Sequence, residues 1–191
     1  MRKIILASSS PRRIELLKKL GIKFDVIPSR IREAEIKIRD PIKFAKELAV
    51  RKAKSVARKV KNGIVIGADT VVVLDREIIG KPKNEEDAKQ ILKKLSGRTH
   101  KVITALAVID AKTKRLVCDV EITKLKFRKM SEEKIKEYVK SGEGMDKAGA
   151  YAIQGKGISF LEKIEGSYSN VIGLPISKLV RLLKKFNIEV N

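Results

Sequence analysis

A continuous apolar run, IVIGADTVVVL at residues 64–74, contains one acidic residue, Asp69. The run predicts a buried strand within a sheet, and the turn-like pair Asp75-Arg76 followed by EII predicts a short return strand. An unpaired carboxylate is costly to bury. Two interpretations of Asp69 follow: it has a catalytic or metal-binding duty, or backbone amides satisfy it at the end of a strand.

Strand and helix signals alternate around this run and predict an α/β fold. Ser10 and Asp40, each followed by proline, and Asn84 and Ser131 are predicted helix caps, and a last helix is expected to begin at Pro175. These helices are expected to end near residues 20, 61, 97, 141 and 186. Strands are expected at residues 3–7, 23–27 and 158–164, with a hairpin of two long strands around AKTK at 111–114. Residues 142–157 are predicted to be a loop with one short helical turn, and GSYSN at 166–170 a turn. We therefore predict a mixed central sheet with flanking helices, in a single domain over residues 1–191, because no repeat or linker interrupts the chain.

The chain is strongly basic, with 44 Lys and Arg against 23 Asp and Glu and a formal net charge of +21. Such a surface attracts polyanions: nucleic acid, anionic membrane or phosphorylated metabolites. The basic helix RKAKSVARKVK at residues 51–61 favours nucleic acid among these. Aromatic residues make up only 4%, and none is Trp, so the stacking platforms of RNA and single-strand binders are missing. Nucleic acid is therefore not expected to be the main partner.

The cysteine and histidine counts limit the metal chemistry. Cys118 is the single cysteine and His100 the single histidine, which excludes an internal disulfide and the usual Cys/His zinc cluster. Any metal must therefore bind to carboxylates. The first apolar run, IILA, is too short for a signal peptide, and no apolar run approaches the ~20 residues that span a bilayer. We expect a cytoplasmic protein that is not embedded in a membrane.

ASSSPRR, at residues 7–13, places hydroxyl groups and two guanidinium groups at a predicted helix start. Free amides and the partial positive charge of a helix start bind anions, and phosphate suits this combination. In the alternative interpretation Ser10 only caps the helix, and Arg12 and Arg13 are solvated. No GxxxxGK[ST] motif is present, which argues against a P-loop kinase or GTPase.

Three acidic residues, Glu33, Asp69 and Glu121, each precede or lie in a predicted strand and could converge around Mg²⁺. Lys52 and Lys81 could hold phosphate oxygens as point charges, or could be surface charge on a basic chain. His100 is more often a packed or capping residue than a ligand.

Nine segments, read in order, resemble the Maf family. They are SSSPRR, Glu33, RKA with Lys52, GADTVV, GKP, SGRTHKVITA, EITKLKFR, DKAGAYAIQG and GSYSNVIGLP. The resemblance covers roughly residues 3–186, and the order and spacing of the motifs make it specific. It implies a fold similar to that of inosine triphosphate pyrophosphatases, with two lobes around a central cleft, and a homodimer. A regulatory role in cell division is an association of the family and a second candidate function.

The implied activity is a nucleoside triphosphate pyrophosphatase that uses a divalent metal, Mg²⁺ or Mn²⁺, with Co²⁺ as a further candidate. The resemblance assigns catalysis to Asp69 and metal binding to Glu33 and Asp69. It assigns phosphate binding to Ser8, Ser10, Arg12, Arg13, Lys52 and Lys81, and substrate specificity to Arg12, Thr70 and Gln154. The segment RIRE, with Arg30 and Arg32 before the glutamate, departs from the more acidic run common in relatives. Whether Asp69 is the base or a metal ligand stays open, because both roles use the same ionised oxygens.

The form AYAIQG resembles the branch that cleaves dTTP and UTP, with modified pyrimidine nucleotides as further substrates. The amide of Gln154 could accept a hydrogen bond from N3–H of thymine or uracil and donate one to O4. A rotated amide would match cytosine instead, so discrimination requires a neighbour that fixes its orientation, and family position makes Thr70 a candidate.

Overall fold

The computed structural model describes residues 2–31 and 36–190 and has the mixed α/β architecture that the sequence predicts. The strands are β1 (Ile4–Leu6), β2 (Asp25–Val26), β3 (Ile64–Leu74), β4 (Glu77–Ile79), β5 (Thr99–Asp110), β6 (Leu116–Phe127) and β7 (Leu161–Glu165). The helices are α1 (Pro11–Lys18), α2 (Pro41–Ala57), α3 (Glu85–Leu95), α4 (Glu132–Lys140), α5 (Tyr168–Ile172) and α6 (Ile176–Lys184). Over the described ranges, no helix combines the length and the apolar character that crossing a bilayer requires.

The strands form one sheet in the order β2-β1-β3-β5-β6-β7, with β4 paired to β3. β1 pairs in parallel with both β2 and β3, and Leu6 lies opposite Ile66. β4 is antiparallel to β3, and β7 is antiparallel to β6. Asp75 and Arg76, in the turn between β3 and β4, both have positive φ, as the tight turn of a hairpin requires. The predicted mixed sheet is confirmed.

The chain divides into two compact units. The first unit contains Met1–Asp69, Thr104–Glu121 and Gly173–Asn191, and the second contains Thr70–Ile103 and Ile122–Ile172. The core of the first unit contains buried aliphatic side chains from β1, α2 and β3, and that of the second unit contains a cluster of aromatic rings with α3 and α4 beside it. Each unit therefore has a hydrophobic core of its own.

Helix α2 packs closely against β3 in the first unit. Four alanines, Ala45, Ala49, Ala53 and Ala57, recur every four residues along α2, share one side of the helix and are buried. A Cβ atom at Gly67 in β3 would lie 2.7 Å from the backbone nitrogen of Ala53 and 2.9 Å from its Cβ, and would collide with the carbonyl oxygen of Ala49. Only glycine fits at this position, because the helix backbone itself occupies the space.

The predicted helix caps are largely confirmed. The side chains of Asp40, Asn84 and Ser131 each accept a hydrogen bond from the backbone N–H three residues later, at 2.7, 2.9 and 3.2 Å. Ser10 occupies the cap position of α1, but its hydroxyl makes no capping bond. Its own N–H instead donates to Oγ of Ser8 at 3.2 Å, so the expectation that Ser10 caps α1 by its side chain was wrong.

Two local predictions were also wrong. GSYSN is not a simple turn, because α5 begins inside it, and Oγ of Ser167 accepts the N–H of Asn170 at 3.2 Å. The strand predicted at 158–164 begins only at Leu161, and a 3₁₀ turn (Lys156–Phe160) replaces its first part. The N–H of Ile158 donates to the carbonyl oxygen of Gly155 within this turn at 3.1 Å, instead of to a neighbouring strand.

His100 is a packed core residue, as expected. Its ring lies edge-on to Phe127 and Tyr151, with ring centroids 4.6 and 5.5 Å away, and its Nε2 lies 2.8 Å from the hydroxyl of Tyr151. Burial lowers the pKa of His100 to about 4, because the charged ring would lose its hydration.

We predict that Gly67→Ala lowers the free energy of unfolding by about 2 kcal/mol or more, because the new methyl group forces α2 away from β3. Urea unfolding of the variant and the wild type measures the difference. Gly80→Ala is the matched control, since a Cβ atom there would meet nothing within 4 Å. A loss of equal size in both variants would contradict the packing argument.

We predict that His100→Gln makes stability less dependent on pH. The pKa of His100 in the folded chain lies below its ordinary value of 6.5, so its contribution to stability is present above pH 6.5 and is lost as the pH falls towards 4. Between pH 7 and 4.5 the free energy of unfolding should therefore fall by about 2 kcal/mol more in the wild type than in the variant. Urea unfolding at both pH values measures this difference. Equal falls in the free energy of unfolding would show that burial does not lower the pKa of His100 in the folded chain.

Candidate active site

The start of α1 brings three of the predicted phosphate-binding residues together. β1 ends at Leu6, and Ser8 follows it as a buried polar residue. Oγ of Ser8 accepts the N–H of Ser10 at 3.2 Å and lies 3.4 Å from Nη1 of Arg13. Arg13 also donates from Nε to the carbonyl oxygen of Gly173 at 2.9 Å, which ties α1 to the segment before α6.

The electrostatics of this helix start favour an anion. The first turn of α1 contains no acidic residue, and it carries Arg12 and Arg13, both half-buried. The partial positive charge of the helix start adds to the charge of the two guanidinium groups. The serine hydroxyls supply donors that a phosphate oxygen accepts.

A buried ion pair joins α2 to β3. Nζ of Lys52 lies 2.6 Å from Oδ1 of Asp69, and the two side chains are only 14% and 9% exposed. Asp69 lies two residues after Gly67, on the same face of β3, and Lys52 precedes Ala53 on α2. The tight contact at Gly67 therefore brings the ammonium group to the carboxylate. Asp69 lies inside the strand and not at its end, which argues against the interpretation that strand-end amides satisfy it.

The helix start and the ion pair both lie just beyond the point where the parallel pairing of β1 with β3 ends. β1 and β3 run in parallel, and the N–H of Ala7 continues the pairing by donating to the carbonyl oxygen of Ile66 at 2.8 Å. Ser8 follows this point in one strand and Asp69 in the other, each within three residues. Ligands of open α/β sheets bind outside the carboxyl ends of the strands, and Ser8 with the start of α1 lies outside the carboxyl end of β1, while β3 continues past Asp69 to Leu74.

The carboxylates of the described residues fit a metal site to which the protein contributes only one or two ligands. Within residues 2–31 and 36–190, no three His, Cys, Asp or Glu residues are grouped to hold a metal. Glu121 lies 3.7 Å from Nζ of Lys178, which also binds Asp119 at 3.2 Å, and Glu33 lies outside the described residues. Mg²⁺ commonly uses one or two carboxylates and takes its other oxygens from water and substrate phosphates. Asp69 fits a metal of that kind, carried by a nucleotide.

The three remaining predicted residues belong to the second unit. Thr70 is half-buried and, as the next residue in β3, points to the opposite face from Asp69. Lys81 is exposed and follows Gly80, whose carbonyl oxygen accepts the N–H of Gly149 at 3.0 Å. Gln154 is exposed on the loop before the 3₁₀ turn. The roles of these three residues stay predictions.

The sequence analysis did not single out two residues that hold the loop of Gln154, namely Tyr138 and Glu143. Burial raises the pKa of the Tyr138 hydroxyl. Burial also acts to raise the pKa of Glu143, but hydrogen bonds from backbone N–H groups and from Tyr138 outweigh it and hold that pKa below its ordinary value. The segment GEG could have drawn attention to them, because a carboxylate between two glycines in a loop is well placed to accept backbone N–H groups.

Comparison with known proteins places the chain in a family. Residues 3–186 match the profile of the family described as Maf-like protein. The chain is 52% identical over 186 residues to a protein from Aquifex aeolicus, covering 97% of this chain and 96% of the relative, and 48% identical over 191 residues to one from Ruminiclostridium cellulolyticum, covering 100% and 99%. Both relatives are named dTTP/UTP pyrophosphatase.

Solved structures resemble the fold at low sequence identity. The Ham1 protein of Staphylococcus aureus has a TM-score of 0.55 at 16% identity, with 97% of this chain and 100% of that chain covered. A nucleoside-triphosphatase, dITP/XTP pyrophosphatase, from Mycobacterium abscessus has a TM-score of 0.50 at 14% identity, with 96% and 98% covered. The predicted likeness to inosine triphosphate pyrophosphatases is thereby confirmed at the level of the fold. The family profile matches residues 3–186 of this chain, and relatives that align along its full length are about 50% identical to it. This chain therefore belongs to the Maf family.

Proposed function

We propose that this protein is a nucleoside triphosphate pyrophosphatase that hydrolyses dTTP and UTP to the nucleoside monophosphate and pyrophosphate. The observation that carries the proposal is the identity of 48–52% along the whole chain with proteins named dTTP/UTP pyrophosphatase. The first unit supports it independently, since it combines a helix start suited to an anion with a buried Lys–Asp pair just beyond the parallel pairing of β1 and β3.

The start of α1 binds phosphate oxygens of the substrate. Ser8 and Ser10 offer hydroxyl donors, and Arg12 and Arg13 offer guanidinium charge beside the helix dipole. The bond from Arg13 to Gly173 fixes one arginine in place before a substrate arrives. Lys52, and Lys81 by the family resemblance, neutralise further phosphate oxygens.

Asp69 acts at the α-phosphorus. Water forms a new bond to that phosphorus, the bond to the bridging oxygen of the β-phosphate breaks, and pyrophosphate leaves while the water gives up a proton. A divalent cation, Mg²⁺, Mn²⁺ or Co²⁺, when bound with the nucleotide neutralises negative charge on the phosphate oxygens. Asp69 would hold that cation, with Glu33 as a second carboxylate by resemblance, or would orient and deprotonate the water. Lys52 compensates the charge of Asp69, which would otherwise be costly to bury.

Gln154 reads the base in this proposal, with Arg12 and Thr70 as further specificity residues. The amide accepts from N3–H and donates to O4 of thymine or uracil, a pattern that cytosine reverses. Thr70, which the family position makes a candidate for fixing the amide, points to the opposite face of β3 from Asp69. The single domain over residues 1–191, the homodimer, the cytoplasmic location and the influence of Arg30 and Arg32 on metal binding stay predictions.

We predict that the purified protein converts dTTP and UTP to monophosphate and pyrophosphate only when Mg²⁺, Mn²⁺ or Co²⁺ is present. The test incubates a panel of canonical and modified nucleoside triphosphates with each metal and resolves the products by anion exchange. Stepwise release of orthophosphate through a diphosphate would refute the proposed reaction. Absence of any hydrolysis, with tight binding to nucleic acid, would favour the alternative that the charge of +21 suggests.

We predict that Asp69→Asn lowers turnover by a factor of ~10² or more, because it removes a charge that acts in the transition state. Thermal unfolding and nucleotide binding establish that the variant is folded, and Asp40→Asn is the control, since Asn caps a helix as well as Asp. Raising the Mn²⁺ concentration should restore part of the activity if Asp69 is a metal ligand and none if it is the base. Near-normal turnover in a folded Asp69→Asn protein would remove Asp69 from the catalytic role.

A further inference from the structure

We propose that Tyr138 and Glu143 are positioning residues for base recognition, because they anchor the backbone on both sides of Gln154. The inference rests on the proposed function, in which Gln154 reads thymine or uracil. Neither residue needs to touch the substrate. They would act by holding the loop of residues 152–157 in one conformation.

Tyr138 anchors the loop before Gln154. It lies on α4 and is 4% exposed, with its ring packed edge-on against Phe160 in the aromatic core of the second unit. Its hydroxyl accepts the N–H of Ala152 at 3.0 Å and donates to Oε1 of Glu143 at 3.0 Å. The hydroxyl therefore links the loop, two residues before Gln154, to a rigid part of the core.

Glu143 anchors the loop after Gln154. Its Oε2 accepts the N–H of Lys156 at 3.0 Å, and its Oε1 accepts the N–H of Gly157 at 3.2 Å. Together with the hydroxyl of Tyr138, three donors converge on one carboxylate. Hydrogen bonds to a charged acceptor are stronger than those between neutral groups. The backbone is thus held two and three residues beyond Gln154.

Two glycines allow the carboxylate and the loop to approach this closely. A Cβ atom at Gly155 would lie 2.6 Å from Cδ and 2.7 Å from Oε1 of Glu143. A Cβ atom at Gly157 would collide with the carbonyl oxygen of Ala152, because the loop folds back and brings these two residues into contact. Any larger residue at either position would displace one of the anchors.

The consequence for recognition follows from the symmetry of a primary amide. Rotation of the Gln154 amide exchanges its donor and acceptor, so a freely moving side chain would serve cytosine as well as uracil. A loop fixed at both ends limits the positions from which the amide can reach the base. Loss of either anchor should therefore weaken binding of dTTP and UTP and reduce discrimination against CTP.

The kinetic test compares kcat/KM for UTP, dTTP and CTP in the wild type, Tyr138→Phe, Glu143→Gln and the double variant. We expect each single variant to lower kcat/KM for UTP and dTTP about tenfold, mainly through KM, with a smaller change for CTP. The factor by which kcat/KM falls in the double variant should be smaller than the product of the factors for the two single variants, since the residues share a hydrogen bond. Glu137→Gln, an exposed residue on the same helix, is the matched control and should behave as the wild type.

Amide hydrogen exchange tests the anchoring without relying on activity. In Tyr138→Phe the N–H of Ala152 should exchange about tenfold faster, and in Glu143→Gln those of Lys156 and Gly157 should do so, while the strands keep their protection. Binding of pyrophosphate, which carries no base, should be unchanged in both variants. If Glu143→Gln fails to fold, the measurements on Tyr138→Phe test the proposal, because this substitution removes only one oxygen atom.

Unchanged exchange at all three amides would overturn the anchoring. Faster exchange with an equal loss of kcat/KM for the three nucleotides, or with no loss, would overturn the role in base recognition. If the wild type releases no pyrophosphate from any nucleotide, the proposed function fails, and with it the role in base recognition. The exchange measurements would still decide whether the two residues hold the loop.

Discussion

The contact between α2 and β3 at Gly67 is the constraint on which the candidate active site depends. The absence of a side chain at Gly67 and the row of alanines on α2 let the helix backbone lie directly against the strand. Lys52 and Asp69 flank this contact, and their ion pair forms because the two backbones are so close. A longer distance between helix and strand would leave a buried carboxylate without its ammonium partner, at a cost of several kcal/mol.

The ion pair also explains how an apolar strand can carry a buried carboxylate. Asp69 is surrounded by apolar strand residues, and the neighbouring helix start contributes positive charge. Under the proposed function, a triphosphate at this position would meet the partial positive charge of the helix start, the guanidinium groups of Arg12 and Arg13, and the ammonium group of Lys52. The Lys52–Asp69 pair is largely shielded from water, so its two charges interact more strongly than charges on the surface.

The two units differ in how they hold their candidate residues. In the first, the residues lie on regular elements or directly beside them, and the parallel pairing of β1 and β3 sets their relation. In the second, Gln154 lies on a loop with no strand partner, so its backbone needs other acceptors, which Tyr138 and Glu143 provide. If Gln154 distinguishes bases by their hydrogen-bond donors and acceptors, as proposed, such anchoring would help, since rigid support of a site improves its selectivity.

The sequence by itself determined the elements of the fold whose signals lie within a few residues. Asp40, Asn84 and Ser131 cap helices through the third residue after them, the apolar run around Asp69 forms a strand, and Asp75-Arg76 makes the turn. The family resemblance named Lys52 and Asp69, but only the tertiary structure joined them, because residues 17 positions apart meet through helix packing that no local pattern records. The same holds for Glu143, because two of its partners are backbone N–H groups 13 and 14 residues away, and every sequence contains such groups. The hydroxyl of Ser10 was assigned to the wrong bond for a related reason: the sequence places Ser10 at the cap position of α1, but only the folded geometry decides whether its hydroxyl accepts an N–H of the first turn, and it does not.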